Sequence, residues 1–239
     1  MHPSFTPFDG VLLVDKPTRL TSHDVVDRIR RQFGFNKVGH CGTLDPAATG
    51  LLVIVLERAT KLQDRLMADD KMYEGTMLLG VSTDSQDADG AVIAEKPMPP
   101  LDAAAIEAAF ARFRGDLQQV PPMVSAIKHQ GQPLYKLARK GKTVEREPRL
   151  IHIYDLRVLQ LELPRIQFRV ACTKGTYVRT LCSDIGDVLG CGAHLCGLRR
   201  IRSGHFDVKD AHTLEALLKL NREQLQPLVI PILELAKRT

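Results

Sequence analysis

The stretch VGHCGTLDPAATGLLVIVL, Val38 to Leu56, holds a single carboxylate, Asp45, in a glycine-rich loop that runs directly into six apolar residues. A carboxylate so placed can serve as nucleophile, general base or charge stabiliser, provided the backbone fixes its direction. Pro46 biases Asp45 toward extended geometry, and Gly39, Gly42 and Gly50 permit turns closed to other residues. The plainer alternative is an aspartate that caps a turn or pairs with Lys37. Local spacing leaves both open. It does exclude a phosphate loop: Thr43 and Thr49 offer donors, but no GxxxxGKS/T pattern occurs and Asp45 would repel the phosphate.

Two other groups have the residue types for metal binding: His40 with Cys41, and Cys191, His194 and Cys196. A zinc site usually shows two tight pairs, and none is present. Cys172 falls on an expected strand and Cys182 on an apolar helical face, so buried, inert thiols are the better reading and no metal is expected. The five cysteines are odd in number and lack CxxC spacing, and MHPSFTPFDG does not resemble a signal peptide. A reducing, cytoplasmic setting is expected.

The elements that must hold these residues follow from periodicity. GVLLVDKP reads as a strand ending at Pro17; Ser22 is expected to cap a helix burying Val25, Val26, Ile29 and Phe33 and stopping at Gly34. Leu51–Leu56 reads as a buried strand, too short to span a bilayer, so no membrane partner is expected. A short helix carrying Leu62 and Leu66 follows. Alternation in MYEGTMLLGVST places Tyr73 near the entrance of a strand, with DSQDADG as its turn. Asp102 caps a helix bearing Ile106, Phe110 and Phe113, closed by Gly115. The segment at about 120–149 loses periodicity to prolines and glycines and contains a short helix. LIHIYDLRVLQLEL and RIQFRVAC form a hairpin turning near Pro164, a helix runs from about Val178 to a stop at Gly190, and a last helix lies around TLEALLKL. Hairpin links outnumber βαβ crossovers, which implies an α+β fold with a mixed, mainly antiparallel sheet flanked by helices.

The chain has 239 residues and a formal net charge of +5, enough for a sizeable core and a bias toward polyanionic partners. Lys128, Lys136, Arg139, Lys140 and Lys142 crowd the aperiodic segment, and Arg199, Arg200 and Arg202 crowd LRRIR. Read blandly, these are solvated faces; clustered as they are, they suit a phosphate backbone.

Taken together, DKPTRLTSHDVV, KVGHCGTLDPAATG, KMYEG with TDSQDADG, QVPPMVSAIKHQGQPLYKLARKG, KGTYVRTL and GAHLCGLRRIRSG closely resemble the TruB family of tRNA pseudouridine synthases. The resemblance runs from about Asp9 to the last helix. It implies the pseudouridine synthase fold in a single catalytic domain, 1–239, with an insertion at about 120–149 that grips RNA, and with the C-terminal PUA domain of many bacterial relatives absent. It implies isomerisation of the T-loop uridine of tRNA, position 55, without a cofactor. The expected partner is the T-arm stem-loop of tRNA, with no obligatory protein partner and a monomeric enzyme. Rival readings are an RNA-binding or tRNA-folding protein with a secondary catalytic role, and a guide-RNA-dependent relative.

The same resemblance assigns roles. Asp45 is the essential carboxylate, Arg179 the arginine that pairs with it, and Tyr73 the ring that stacks on the target base. His40 lies beside the flipped nucleotide, Tyr177 and Leu198 line the uridine pocket, and Lys128 belongs to the RNA grip. One departure stands out: Arg19 occupies the place of the family's usual glycine in KPxGxTS.

Overall fold

The computed structural model describes residues 6–125, 127–129, 131–138 and 140–235, without the side chains of residues 128, 129, 133 and 135. In chain order the elements are β1 (Gly10–Lys16), α1 (Ser22–Phe33), β2 (Val38–His40), β3 (Thr49–Leu56), α2 (Gln63–Met67), β4 (Lys71–Leu79), β5 (Val81–Thr83) and β6 (Val92–Glu95). There follow α3 (Ala103–Ala111), β7 (Gly115–Gln119), β8 (Lys128–His129), β9 (Gln132–Pro133), α4 (Leu134–Ala138), β10 (Arg149–Glu162), β11 (Arg165–Cys172), α5 (Val178–Val188), β12 (Ala193–Ser203) and α6 (Leu214–Leu218). The chain forms two compact units: Met1–Tyr73 with Leu198–Thr239, and Glu74–Gly197.

In the first unit β1 and β3 pair antiparallel from Gly10↔Leu56 to Lys16↔Gly50, and β12 runs parallel to β3 at Arg199↔Thr49 and Arg200↔Gly50. Alternate residues of this strand pair enter two separate cores. Leu12, Val14, Leu52, Ile54 and Leu56 pack with Val25, Ile29 and Phe33 of α1 and with Leu214 and Leu217 of α6. Val11, Leu13, Leu51, Val53 and Val55 pack with Cys41 and Ala59. Burial on both faces explains why Leu51–Leu56 is apolar throughout and does not alternate.

In the second unit the strand order is β4, β11, β10, β7. The hairpin turns at Pro164 as expected, with β10 and β11 antiparallel from Ile153↔Cys172 to Glu162↔Arg165. Ile106 and Phe110 of α3 are buried, and the Phe110 and Phe168 rings meet edge-on at 6.4 Å. This aromatic contact holds the helix to the sheet.

Several local expectations need correction. The cap of α1 is Thr21, which forms a capping box with Asp24; Ser22 lies inside the helix and is buried. A box satisfies two orphan donors at once, which a lone serine cannot. Gly115, expected to close α3, instead opens β7 with φ 89°, and β7 pairs with β10. Phe113 lies beyond the helix, which ends at Ala111. Val38–His40, read as loop, adds to β3 as β2. TLEALLKL is followed by two further short helices, Arg222–Leu225 and Ile232–Leu235.

Candidate active site

Asp45 is half-buried in a loop held along its whole length by groups from other segments. Before it, the buried Ser22 hydroxyl accepts the Leu44 N–H at 2.8 Å and donates to the Leu44 carbonyl at 3.2 Å. After it, the Pro46 carbonyl accepts the Arg19 N–H at 2.8 Å and Lys16 Nζ at 3.3 Å. Thr18 Oγ1 donates to the Ala47 carbonyl at 3.4 Å, and the Ala48 N–H returns to the Asp45 carbonyl at 3.0 Å. Backbone anchoring on both sides supplies the fixed direction that a reacting carboxylate needs.

Lys16 is fully buried, and its ammonium also donates to the Pro17 and Leu20 carbonyls at 2.8 and 2.7 Å. One cation therefore ties the turn after β1 to the loop of Asp45. Burial pushes the Lys16 amine down to about 8, against the attraction of Asp45 and with help from the repulsion of Arg200. Arg19 adopts φ 67° in this turn. The left-handed geometry suited to glycine is thus retained by an arginine, at a cost of roughly 1 kcal/mol.

Arg200 closes the loop from beneath. Only 1% exposed, it donates from Nε to the Leu51 carbonyl at 2.7 Å and from Nη2 to the Gly42 carbonyl at 3.0 Å. Its two acceptors lie on either side of Asp45 in sequence, so one planar guanidinium sets the span between them. Gly42 takes φ 104°, and a Cβ there would stand 3.3 Å from Arg200 Nη1. Gly50 takes φ 97°, and its Cβ would meet the Arg200 carbonyl oxygen at 2.3 Å. These two glycines are required by close approach and by backbone sign together.

Lys71, at the start of β4, is buried and donates to the Met67 and Asp69 carbonyls at 2.9 and 2.5 Å. Burial, then repulsion from Arg200, pushes its amine down to about 8. His40 is half-buried; burial and Arg200 push its imidazole below its ordinary value, which favours the neutral ring near pH 7. Its Nδ1 is buried with no hydrogen-bond partner among the described residues. Tyr73, two residues after Lys71, is 9% exposed and not a solvent-facing strand end. Leu198 is half-buried, and its carbonyl accepts Thr49 Oγ1 at 3.4 Å.

The first unit thus holds Asp45, His40, Tyr73 and Leu198, and the second holds Tyr177 and Arg179. Arg179, in the first turn of α5, is 4% exposed; Nη1 pairs with Asp87 Oδ2 at 3.1 Å and Nη2 donates to the Val124 carbonyl at 2.6 Å. Its Cζ lies 5.9 Å from the centre of the Tyr177 ring. Read locally from sequence, Arg179 is a solvated helix-start residue; the structure buries it. Asp87 is fixed in turn by the Ser85 hydroxyl at 2.5 Å and the Asp89 N–H at 3.1 Å. Tyr177 is held through its backbone: the buried Gln119 amide accepts its N–H at 2.8 Å and donates to its carbonyl at 3.1 Å.

Lys16, Asp87, Gln119 and Arg200 are the residues that sequence reasoning missed as site-builders. Asp87 carried a signal, since it lies within the TDSQDADG motif. Gln119 opens the QVPPMVSAIKHQGQPLYKLARKG motif, and Lys16 and Arg200 lie within DKPTRLTSHDVV and GAHLCGLRRIRSG. The basic stripe in LRRIR also needs correction: Arg200 is the buried clamp, Arg199 makes a two-pronged pair with Asp15 at 3.0 and 2.7 Å, and Arg202 is exposed. In the aperiodic segment Lys136, Lys140 and Lys142 are exposed. Lys128 lies in β8, its side chain outside the description, and Arg139 lies outside the described residues.

Four cysteines are buried and Cys196 is exposed. Burial pushes the Cys41 thiol up to about 12, far from the thiolate that metal binding or nucleophilic attack requires. Among the described residues no group of three or more His, Cys, Asp or Glu is placed to hold a metal ion. No helix among them is long and apolar enough to cross a membrane.

The geometry defines a loop-borne carboxylate on a two-faced strand pair, and the fold carrying it is that of the pseudouridine synthases. A crystal structure of a Cbf5–Nop10–Gar1 complex matches with a TM-score of 0.76 and 30% identity, covering 97% of this chain and 63% of that one. The Nop10–Cbf5 complex of an archaeal box H/ACA sRNP matches with a TM-score of 0.66 and 31% identity, over 88% of this chain and 53% of that one. This chain therefore spans less than two thirds of either structural neighbour. The family model for the N-terminal domain of TruB family pseudouridylate synthase matches residues 30–178, and that for the tRNA pseudouridylate synthase B C-terminal domain matches 179–236. The chain belongs to the TruB family of pseudouridylate synthases. Proteins named tRNA pseudouridine synthase B share 53% identity in Opitutus terrae, covering 95% of both chains, and 51% in Syntrophotalea carbinolica, covering 95% of this chain and 74% of that one.

Proposed function

We propose that this protein converts the T-loop uridine of tRNA, position 55, into pseudouridine, with Asp45 as the nucleophilic carboxylate. The observation that carries the reading is the loop of Asp45, tied to Ser22, Lys16, Arg19 and Arg200 on both sides of the carboxylate. A surface aspartate that only caps a turn requires no buried arginine and no buried lysine beneath it. The identity of 48–53% to proteins named tRNA pseudouridine synthase B supports tRNA as the substrate.

The reaction is an isomerisation, so it requires no oxidant, reductant or second substrate. The carboxylate attacks the nucleoside, the bond from ribose to the base nitrogen breaks, the base turns and rejoins ribose through carbon as the bond to the carboxylate is released, and the proton lost from that carbon is matched by one gained at the freed nitrogen. Asp45 must be ionised to attack. Arg179 is assigned to hold that charge and direction, and Asp87 to hold Arg179. Tyr73 is assigned to stack on the base and take part in proton transfer, with its buried ring excluding water from the turning base. A neutral His40 is assigned to support the strand from which the nucleotide is extruded, and Tyr177 and Leu198 to line the pocket. Extrusion costs a few kcal/mol of unstacking, which cationic contacts to the RNA, Lys128 among them, must offset.

The enzyme is further read as a cytoplasmic monomer that needs no protein partner and acts on bare tRNA. An unmodified T-arm stem-loop and full tRNA, incubated with the pure protein, are expected to yield pseudouridine by nucleoside mass spectrometry. Asp45→Asn is expected to abolish product while leaving RNA binding largely intact. No product from either RNA with the unaltered protein would overturn the assignment.

A further inference from the structure

A pocket of about 440 Å³ opens in the first unit, lined by Phe8, Asp9, Lys37, Glu57, Arg58, Lys61 and Arg222 among others. It is at the Gly10↔Leu56 end of the β1–β3 pair, whereas the loop of Asp45 adjoins the Lys16↔Gly50 end. Six residues of strand separate the ends, about 20 Å at the usual strand rise. The pocket is therefore not part of the site of Asp45, and its size lies in the range of pockets that hold small ligands.

The lining contains four cations and two carboxylates, and both carboxylates are already engaged. Asp9 is buried and accepts the Thr6 and Arg58 N–H groups at 2.6 and 2.9 Å, with Arg58 Nε 3.9 Å away. Glu57 accepts the Asn36 N–H at 2.8 Å. No carboxylate among the described residues pairs with Lys37, Lys61 or Arg222. Lys37 and Lys61 are exposed.

Arg222 is held in place beforehand. Its guanidinium donates to the Phe33 carbonyl, and its Cζ lies over the Phe8 and Phe35 rings at 4.5 and 4.9 Å from their centres. A planar fork fixed on two aromatic faces has already lost much of its rotamer freedom, which lowers the entropic cost of gripping an anion. Single ammonium groups at Lys37 and Lys61 add charge without geometric demand.

We propose that this pocket is a phosphate-binding site, with Arg222, Lys37 and Lys61 as its ligands. In the protein as read above, the phosphate belongs to the RNA backbone, at a contact on the opposite end of the β1–β3 pair from the loop of Asp45; this source, not the site's chemistry, rests on the proposed function. A free phosphate or nucleoside monophosphate presents the same chemistry.

The test uses the full chain and the double variant Lys37→Gln, Lys61→Gln, both at exposed positions where folding is not at stake. Full tRNA is titrated by fluorescence anisotropy at several salt concentrations. The slope of log affinity against log salt should shrink in magnitude by about 2 in the double variant, since each lysine contact releases roughly one counterion. Arg222→Lys keeps the charge but loses the fork, and should weaken tRNA binding with little change in slope. In parallel, inorganic phosphate and uridine monophosphate are titrated against both proteins by NMR. Saturable binding of either to the unaltered protein, lost in the double variant, supports the site and assigns it to small phosphates if the tRNA slope is unchanged. An unchanged tRNA slope together with no phosphate binding overturns the inference. Pseudouridine formation by the unaltered protein, measured separately, reports on the catalytic reading whichever result appears here.

Discussion

Arg200→Met separates loop positioning from stability. Loss of the guanidinium removes two charge-assisted hydrogen bonds, to Leu51 and Gly42, each worth about 1.5–3 kcal/mol. It also removes a cation buried without a carboxylate partner among the described residues, whose desolvation costs several kcal/mol. The two terms nearly cancel, so the variant should remain folded with a denaturation midpoint close to that of the unaltered protein. Catalysis should not be spared. With the span from Gly42 to Leu51 no longer set, Asp45 loses its direction, and a misplacement of about 1 Å lowers turnover on the order of 100-fold, or about 2.7 kcal/mol of barrier. Single-turnover pseudouridine formation at saturating tRNA, set beside urea denaturation, reads both effects. Arg200→Lys should be nearly as slow, because one ammonium does not reproduce the two-armed fork. Turnover within a factor of three of the unaltered protein in both variants would refute the clamp.

Three further outcomes follow from single observations. Arg19→Gly relieves a left-handed arginine at φ 67°, less the entropy of the new glycine, and should raise stability by about 0.5 kcal/mol, read by thermal denaturation. Asp87→Asn replaces the charge-assisted bond to Arg179 Nη1 by a neutral one and should cost about 1.5 kcal/mol in urea denaturation, together with a large fall in turnover. Lys16, whose folded value near 8 lies below its ordinary 10.5, is a destabilising charge in full below pH 8, and stability recovers as pH rises from about 8 to 10.5. The difference in unfolding free energy between the unaltered protein and Lys16→Met should therefore shift in favour of the unaltered protein by about 3 kcal/mol across that window; a flat difference would contradict the burial of a charged amine.

The strands, the main helices and the loop bearing Asp45 were legible because each is written in local periodicity and in glycine and proline placement. The family motifs added Tyr73, Arg179 and Tyr177, and the structure buries the first two. The pieces missed at element level have a shared cause. Gly115–Gln119 becomes strand only because β10 lies beside it, and Val38–His40 because β3 does. Isolated from those partners, neither segment has enough apolar alternation to declare itself.

The sequence alone determined which carboxylate stands in a restricted loop, that a doubly buried strand supports it, and to which family the pattern belongs. Tertiary structure decided what the charges do. Arg199, Arg200 and Arg202 are near neighbours in sequence, yet the pairing of β12 with β3 sends Arg200 beneath the loop and Arg199 to Asp15, and leaves Arg202 exposed. Lys16 and Lys71 stand in quoted family motifs with nothing local to mark them as interior, and folding encloses both. The reason is that a cation's role depends on which carbonyls and carboxylates the fold brings within about 3 Å of it, and those partners come from segments as much as 189 residues away.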